Sequence, residues 1–318
     1  MTPETAAHHL KADVVNLAAT DGRRQHYGEF YGLRPLPPDA DLPLVLVYGN
    51  CQSEALRVLL DGTPVRTVRI PPVHELEPDD LPHLARTLAV TQVLVSQPVR
   101  ADYRNMALGT GQVGSLLPPK SQVVTIPVAR YAGLFPFQAI VRSAGIGDPP
   151  LVPYHDLRTL VEAATGVRAP RRATGRAYRE IRRDSVAELR SREQRHDTVV
   201  ISDLLEGAGA QAAHTVNHPG NLILRGLAAR VLAQLGHQLD VEDPGRTLLD
   251  NVHTPLAADV LTALRLDAEA TEAWLVGGVV VADDQVREEQ LRWYAEHQPV
   301  VQAGLARHRD ALALLGLT

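Results

Sequence analysis

Apolar positions in this chain fall into short blocks that switch between two periods. "LPLVLVYG" (42–49) is a continuous apolar run of strand length, as expected for a strand covered on both faces. "SEALRVLL" (53–60) follows with apolar residues at helical spacing, and "DG" stops it. "VRTVRIP" (65–71) alternates and ends on proline, which reads as a strand. "LPHLARTLA" (81–89) reads as a helix, and "TQVLVSQP" (91–98) and "SQVVTIP" (121–127) as two further buried strands. Residues 5–20 have the pattern of a short helix, and 34–43 form a proline-rich lead-in. Strands alternating with helices predict an α/β fold: a small, mostly parallel sheet flanked by helices.

After "FPFQAIVR" (135–142) the texture changes. Residues 145–156 are loop-like, and 157–197 look helical and arginine-rich. "DTVVISDLLE" (197–206) is a short strand or helix. "NHPGNLILRGLAARVLAQLG" (217–236) predicts a helix with Pro219 in its first turn and Gly236 just past its end. The remainder is expected to be mainly helical. The pattern predicts one compact unit over 1–318, with an α/β half at 43–142 and a mainly helical half at 151–318 that completes the site.

Composition narrows the function classes. A net charge of −5 gives no general argument for nucleic acid or an anionic membrane. Aromatics are 4%, too few for the basic, aromatic stripe of a nucleic-acid surface. The longest apolar candidate, "WLVGGVVVA" (274–282), falls well short of the ~18–20 residues that span a bilayer. The N-terminus lacks the basic and apolar regions of a secretory signal. A single cysteine, Cys51, forms no internal disulfide, which fits a reducing, cytoplasmic setting.

Cys51 is the centre of the candidate chemistry. Strand, tight turn and helix is the geometry of a nucleophile elbow, and Gly49, Cys51 and Ser53 give G-x-C-x-S. At a helix start, the dipole and unpaired N–H groups favour thiolate. The competing reading is a small buried residue, a common role for a lone cysteine. A thiol nucleophile needs a base. Among 13 histidines, His218 stands at the mouth of a helix beside Pro219. His214, four residues earlier, is not expected to share its face, no H-E-x-x-H pattern occurs, and no metal is expected.

"YGNCQ", "VSQPVRADYR", "IPVARYAGLFP", "PYHD" and "NHPGNLIL", in this order over roughly 44–240, resemble the WcbI family of polysaccharide-biosynthesis acetyltransferases. The resemblance implies an α/β core with added helices, coenzyme A or acetyl-CoA as substrate, and acyl transfer to a sugar hydroxyl. It also implies an active site like that of SGNH/GDSL hydrolases, with Cys51 as nucleophile and His218 as base. Asn50, Gln52, Ser96, Gln97 and Asn217 are the candidate oxyanion and substrate residues. SGNH hydrolases carry Asp three residues before the histidine, where this chain has Thr215, so the orienting carboxylate is sought at Asp203 or Asp156. The acceptor expected is a sugar or another small-molecule hydroxyl, as on a secondary metabolite. A thioesterase or esterase on the same residues, or a non-catalytic CoA- or sugar-binding component, is the alternative. Assembly into a homo-oligomer is left open.

Two further features need weighing. "GTGQVG" (109–114) matches G-x-G-x-x-G, but prolines follow and no strand precedes it, so it reads as a loop near the site. Arg100, Tyr103 and Arg104 are candidates for an acceptor or a CoA phosphate. Ten arginines lie in the 28 residues 168–195, interleaved with acids as on a solvated helix. Within them Arg171 and Arg172 are the candidate clamp for CoA phosphates.

Overall fold

Four strands form a parallel sheet in the computed structural model, which describes residues 21–37, 41–143 and 145–318. β1 (Leu44–Tyr48) is buried at all five positions, as its unbroken apolar run requires. β2 (Arg66–Thr67), β3 (Val93–Ser96) and β4 (Gln122–Thr125) complete it in the order β2-β1-β3-β4. Val45 pairs with Val93, and Tyr48 with Ser96, which in turn pairs with Thr125. Helix α1 (Cys51–Leu60) links β1 to β2, and α2 (Leu81–Leu88) lies between β2 and β3. The chain therefore leaves β1 toward one edge and returns beyond β1 to start β3 on its other side. The strand order reverses between β1 and β3, and the crevice at the carboxyl ends of such a pair is where open parallel sheets bind ligands.

The expected α/β class holds, and several local expectations change. β2 is only two residues long, because Pro71 and Pro72 supply no ladder N–H and the chain turns away after Thr67. The GTGQVG stretch is a short helix, α3 (Thr110–Gly114), not a loop. The Gln112 Oε1 accepts the Gly109 N–H at 2.9 Å and closes its start. The helix expected at 5–20 lies outside the described residues.

The chain divides into two compact units, one of residues 1–126 and 231–239, the other of 127–230 and 240–318. The core of the first gathers Phe30, Leu46, Tyr48, Val68, Leu76, Leu88, Leu94 and Leu108. Beside it Asp80, 3% exposed, accepts hydrogen bonds from Tyr31 Oη at 2.7 Å, Arg23 Nη2 at 2.9 Å and the Glu77 N–H at 2.9 Å. Those bonds and the Arg23 charge hold its carboxyl below the ordinary range, against the pull of burial.

The second unit is mainly helical, with helices at Leu157–Thr165, Gly175–His196, Asp283–Glu296 and Gln298–Arg307 among others. "WLVGGVVVA" is a hairpin, Ala273–Val276 against Val279–Ala282. Gly277 and Gly278 both take positive φ (56° and 81°), the conformation that the favoured two-residue hairpin turn demands. "DTVVISDLLE" resolves into extended chain followed by a helix at Leu204–Ala208.

His155, 2% exposed, sits between Tyr294 Oη (2.6 Å) and the Val141 carbonyl (3.2 Å), and burial pushes it down to about 4. A histidine depressed below its unfolded value of ~6.5 contributes stability fully above that value and loses it as pH falls toward 4. His155 alone should cost on the order of 2 kcal/mol between pH 7 and 5. Urea unfolding at both pH values measures it. His155→Gln should narrow the gap by that amount, and an unchanged gap would refute the assignment.

Candidate active site

The turn after β1 is shaped by a lack of space. A Cβ on Gly49 would lie 2.4 Å from both Gln97 Oε1 and Ser53 Oγ, so only glycine fits. The Gly49 carbonyl accepts the Val73 N–H at 2.8 Å, fixing the turn from its other side. Asn50 is the N-cap of α1. Its side-chain oxygen accepts the Gln52 N–H at 2.9 Å, and its own N–H donates to Gln97 Oε1 at 2.9 Å. Cys51 is the first residue of the helix and is partly exposed. Ala55, Leu56, Leu59 and Leu60 bury the other end of α1, so the helix start is held as a rigid piece. This position favours negative charge on a side chain.

Gln97 follows β3 directly and is 2% exposed. Its Nε2 donates to Gln52 Oε1 at 3.3 Å, and Gln52 is itself buried. Both glutamines brace the turn from the neighbouring strand. Ser96 Oγ donates to the Gln97 carbonyl at 2.8 Å and lies 3.1 Å from Thr110 Oγ1. Thr110 Oγ1 donates to that carbonyl too, at 2.9 Å, and accepts the Val99 N–H. The hydroxyl of Ser96 thus holds backbone.

The candidates in the next loop divide. Asp102, Arg104 and Asn105 take positive φ (52°, 55° and 59°), a costly run outside glycine. Arg104 Nη1 ties the loop down by donating to the His74 and Leu76 carbonyls at 2.6 and 2.8 Å, and Nη2 to Glu77 Oε1 at 3.2 Å. Tyr103 packs against the core cluster, and Arg100 is exposed.

In the second unit, His218 does not open a helix. His218–Pro219 is a two-residue strand paired with Ala213–Thr215, and the helix starts at Asn221. The reason is at Gly220, where a Cβ would lie 2.0 Å from the Gln211 carbonyl oxygen and whose N–H donates to the Ala212 carbonyl at 3.0 Å. That contact keeps 218–220 extended and moves Pro219 out of the first turn. Gly236, at φ 89°, sits just past the helix end as expected.

Thr215, fully buried, builds the turn that presents His218. Its Oγ1 accepts the His218 N–H at 3.1 Å and donates to Asn217 Oδ1 at 3.1 Å. Tyr154 Oη donates to the same Asn217 oxygen at 2.8 Å. The two carboxylates sought as orienters are occupied elsewhere. Asp203 pairs with Arg230 at 2.6 Å, while Asp156 caps the Leu157–Thr165 helix and holds Arg158. The His218 ring instead bonds the backbone carbonyl of Leu249, a residue at φ 56°. Burial pushes His218 down to about 4, partly opposed by that carbonyl, so the ring is neutral at pH 7.

Sequence reasoning missed the neighbours of this histidine. The His214 and His253 rings lie 4.4 Å apart, and His253 Nε2 is 2.6 Å from Asp250 Oδ1. Burial and His253 push His214 down to about 4. The signal was "DNVHT" (250–254), too short to single out. Among the described residues, no group of three or more His, Cys, Asp or Glu side chains is arranged to hold a metal ion.

The arginine-rich stretch resolves into two parts. The Gly175–His196 helix buries Ala177, Tyr178, Ile181 and Leu189 and pairs Arg176 with Glu180 at 3.0 Å, as a solvated face does. Ahead of it, Arg171 and Arg172 line a cleft of about 400 Å³ with Phe135, Phe137, Arg158 and Trp274. Arg171 is paired with Asp284 at 2.9 Å, and Arg172 is exposed.

The chain is an α/β protein with a partly exposed cysteine on a strand–turn–helix elbow at the switch point of its parallel sheet. The family model of the polysaccharide biosynthesis enzyme WcbI matches residues 44–240, and the chain belongs to that family. A solved structure of WcbI, described as a polysaccharide biosynthesis enzyme in its native form without a disulfide bond between coenzyme A and a cysteine, shares the fold. The TM-score is 0.72 at 20% identity, covering 87% of this chain and 99% of that one. No match was found among curated proteins.

Gly49→Ala should destabilise the protein by roughly 1–3 kcal/mol through overpacking against Gln97 and Ser53. Chemical denaturation measures this. A change below about 0.5 kcal/mol would show that the turn tolerates a side chain.

Proposed function

We propose that this chain is a CoA-dependent acyltransferase that moves an acetyl or similar acyl group from a CoA thioester to the hydroxyl of a sugar or other small molecule. The observation that carries the reading is Cys51 at the first position of α1, with Asn50 capping the helix and Gly49 leaving no room for a side chain. Membership of a polysaccharide-biosynthesis family supports it, as does the naming of coenzyme A with a cysteine in the structural neighbour's description.

In this reading neutral His218 takes the proton of the Cys51 thiol, becoming imidazolium, as the sulfur attacks the thioester carbonyl. The C–S bond to CoA breaks, and CoA leaves as a thiol with a proton from the His218 imidazolium. His218, neutral again, takes the proton of the acceptor hydroxyl. The alkoxide oxygen attacks the Cys51 thioester, an ester forms as the C–S bond breaks, and the leaving Cys51 sulfur takes its proton back from His218. The charge on each tetrahedral intermediate is met by the positive end of the α1 dipole and the Cys51 backbone N–H. Gln97 and Gln52 serve by positioning, since their amides already bond the turn and each other. Arg100, Tyr103, Arg171 and Arg172 remain the proposed contacts for CoA or acceptor.

Incubation with acetyl-CoA should add one acetyl group to the intact protein and lose that adduct in Cys51→Ser. His218→Asn should lower turnover by ~10²-fold or more. An active Cys51→Ser protein with no adduct in the wild type would overturn the covalent route. CoA release that does not depend on an acceptor would assign the site to hydrolysis.

A further inference from the structure

The cleft of about 400 Å³ in the second unit is lined by Phe135, Phe137, Gln138 and Trp274, and it abuts the turn that presents His218. Gln138 Oε1 accepts the Val216 N–H at 2.7 Å, while its Nε2 donates to Thr254 Oγ1 at 2.7 Å. Trp274 stacks on Tyr154 with ring centres 6.3 Å apart, and Tyr154 meets the His218 ring edge-on at 6.2 Å. The Tyr154 hydroxyl in turn holds Asn217, the residue before His218. Further along the lining, the Leu256 N–H donates to Thr271 Oγ1 at 2.8 Å and the Thr271 N–H to the Leu256 carbonyl at 3.0 Å, which fixes two of its segments against each other.

Most guanidinium donors of the cleft are already engaged. Arg158 donates to both Asp156 oxygens, at 2.9 and 2.5 Å, and to the Arg171 carbonyl at 3.1 Å. Arg171 donates to both oxygens of Asp284, at 2.9 and 3.0 Å. Arg172, exposed, is the lining arginine that makes no ion pair among the described residues. The acceptors of the cleft are less fully used. Asp259 Oδ2 accepts the Tyr178 hydroxyl. Asp283 Oδ1 accepts the Trp274 indole N–H at 2.9 Å, and its Oδ2 stands 4.0 Å from Arg158, whose donors point at Asp156. Burial raises the Asp283 carboxyl above the ordinary range. Glu272 is exposed and makes no ion pair among the described residues. The cleft therefore combines apolar walls with carboxylate oxygens that still have acceptor capacity, and a phosphate placed there would meet more negative than positive charge.

We propose that this cleft binds an uncharged, polyhydroxylated stretch of the acyl acceptor, a neutral glycan, and not the phosphates of CoA or of a nucleotide-activated sugar. Carboxylates only accept hydrogen bonds, and neighbouring sugar hydroxyls supply donors in pairs. The C–H faces of sugar rings suit the apolar walls, and the volume is that of a small-ligand site. His218 does not line the cleft, so the hydroxyl that reacts lies outside it and the acceptor extends beyond one ring. The role as acceptor rests on the acyl-transfer reading, whereas binding of the glycan does not.

An array of neutral, phosphorylated, carboxylated and amine-bearing oligosaccharides, probed with the full chain and followed by calorimetry on the best neutral ligand, tests it. A neutral oligosaccharide should bind best, with an affinity that barely changes with salt because no charge pair forms. Glu272→Gln/Asp283→Asn should bind it about tenfold more weakly or worse, through lost hydrogen bonds to charged oxygens. Ala258→Phe, at the exposed first position of the Ala258–Leu264 helix, should block the cleft without touching its polar groups, and it decides the matter if the first variant does not fold. CoA should not displace the glycan, and Cys51→Ser should bind it as the wild type does. Glycan binding without an acetyl adduct would remove the acyl-transfer reading and leave the site standing; an adduct without glycan binding would do the reverse. Absence of any neutral ligand, preference for a phosphorylated, carboxylated or amine-bearing one, displacement by CoA, or unchanged affinity in both variants would overturn the proposal.

Discussion

The 2.9 Å hydrogen bond from the Asn50 N–H to Gln97 Oε1 is the contact on which the elbow depends. It spans the reversal in strand order, from the end of β1 to the end of β3, and it can form only because Gly49 presents no Cβ to the incoming amide. A net contribution near 1 kcal/mol understates it, since breaking it leaves a buried donor or acceptor unpaired at a further ~1–3 kcal/mol. With Gln97 in place, Gln52 has a buried partner, Asn50 is set to cap α1, and the first residue of the helix is fixed relative to the sheet. An apolar side chain at 97 would fill the same space and satisfy none of these groups.

The parts of the fold that rest on local chemistry were readable from the chain. β1 and β3 are apolar because both faces are covered, and α1 carries its period, cap and stop within about a dozen residues, whereas β4, read as a buried strand, is an edge strand with Gln122 and Val123 exposed. What was misread depends on partners far away in sequence. Gly49 was readable as a small residue, but its reason is Gln97, 48 positions on. Gln97 itself read as a donor to substrate until Gln52 was seen holding its amide. The helix after Pro219 was displaced because Gly220 meets the Gln211 carbonyl, which no propensity reports. The Gly277–Gly278 turn, by contrast, was written in the sequence and lost inside a run scored only for length.

Buried charge in the second unit is satisfied by partners that the fold supplies. Glu193, 2% exposed, is satisfied by three donors, and Arg158 is gripped by Asp156 while lying 4.4 Å from the centre of the Phe137 ring. These are groups that the fold itself requires, and it completes them.

The same reasoning connects the two unusual choices in the proposed catalytic pair. A serine hydroxyl demands a strong base, which a carboxylate behind the histidine supplies. Here Thr215 shapes the turn that carries His218, while the Leu249 carbonyl meets the ring. A carbonyl dipole orients an imidazole and fixes its tautomer but stabilises the imidazolium less than a full negative charge does. A thiol at a helix N-terminus asks for less, because it ionises far more readily than a hydroxyl and is an intrinsically better nucleophile. In the proposed pair, cysteine at 51 and a carbonyl rather than a carboxylate against His218 are therefore consistent with each other, because the stronger nucleophile needs only the weaker base, and Thr215 serves the turn.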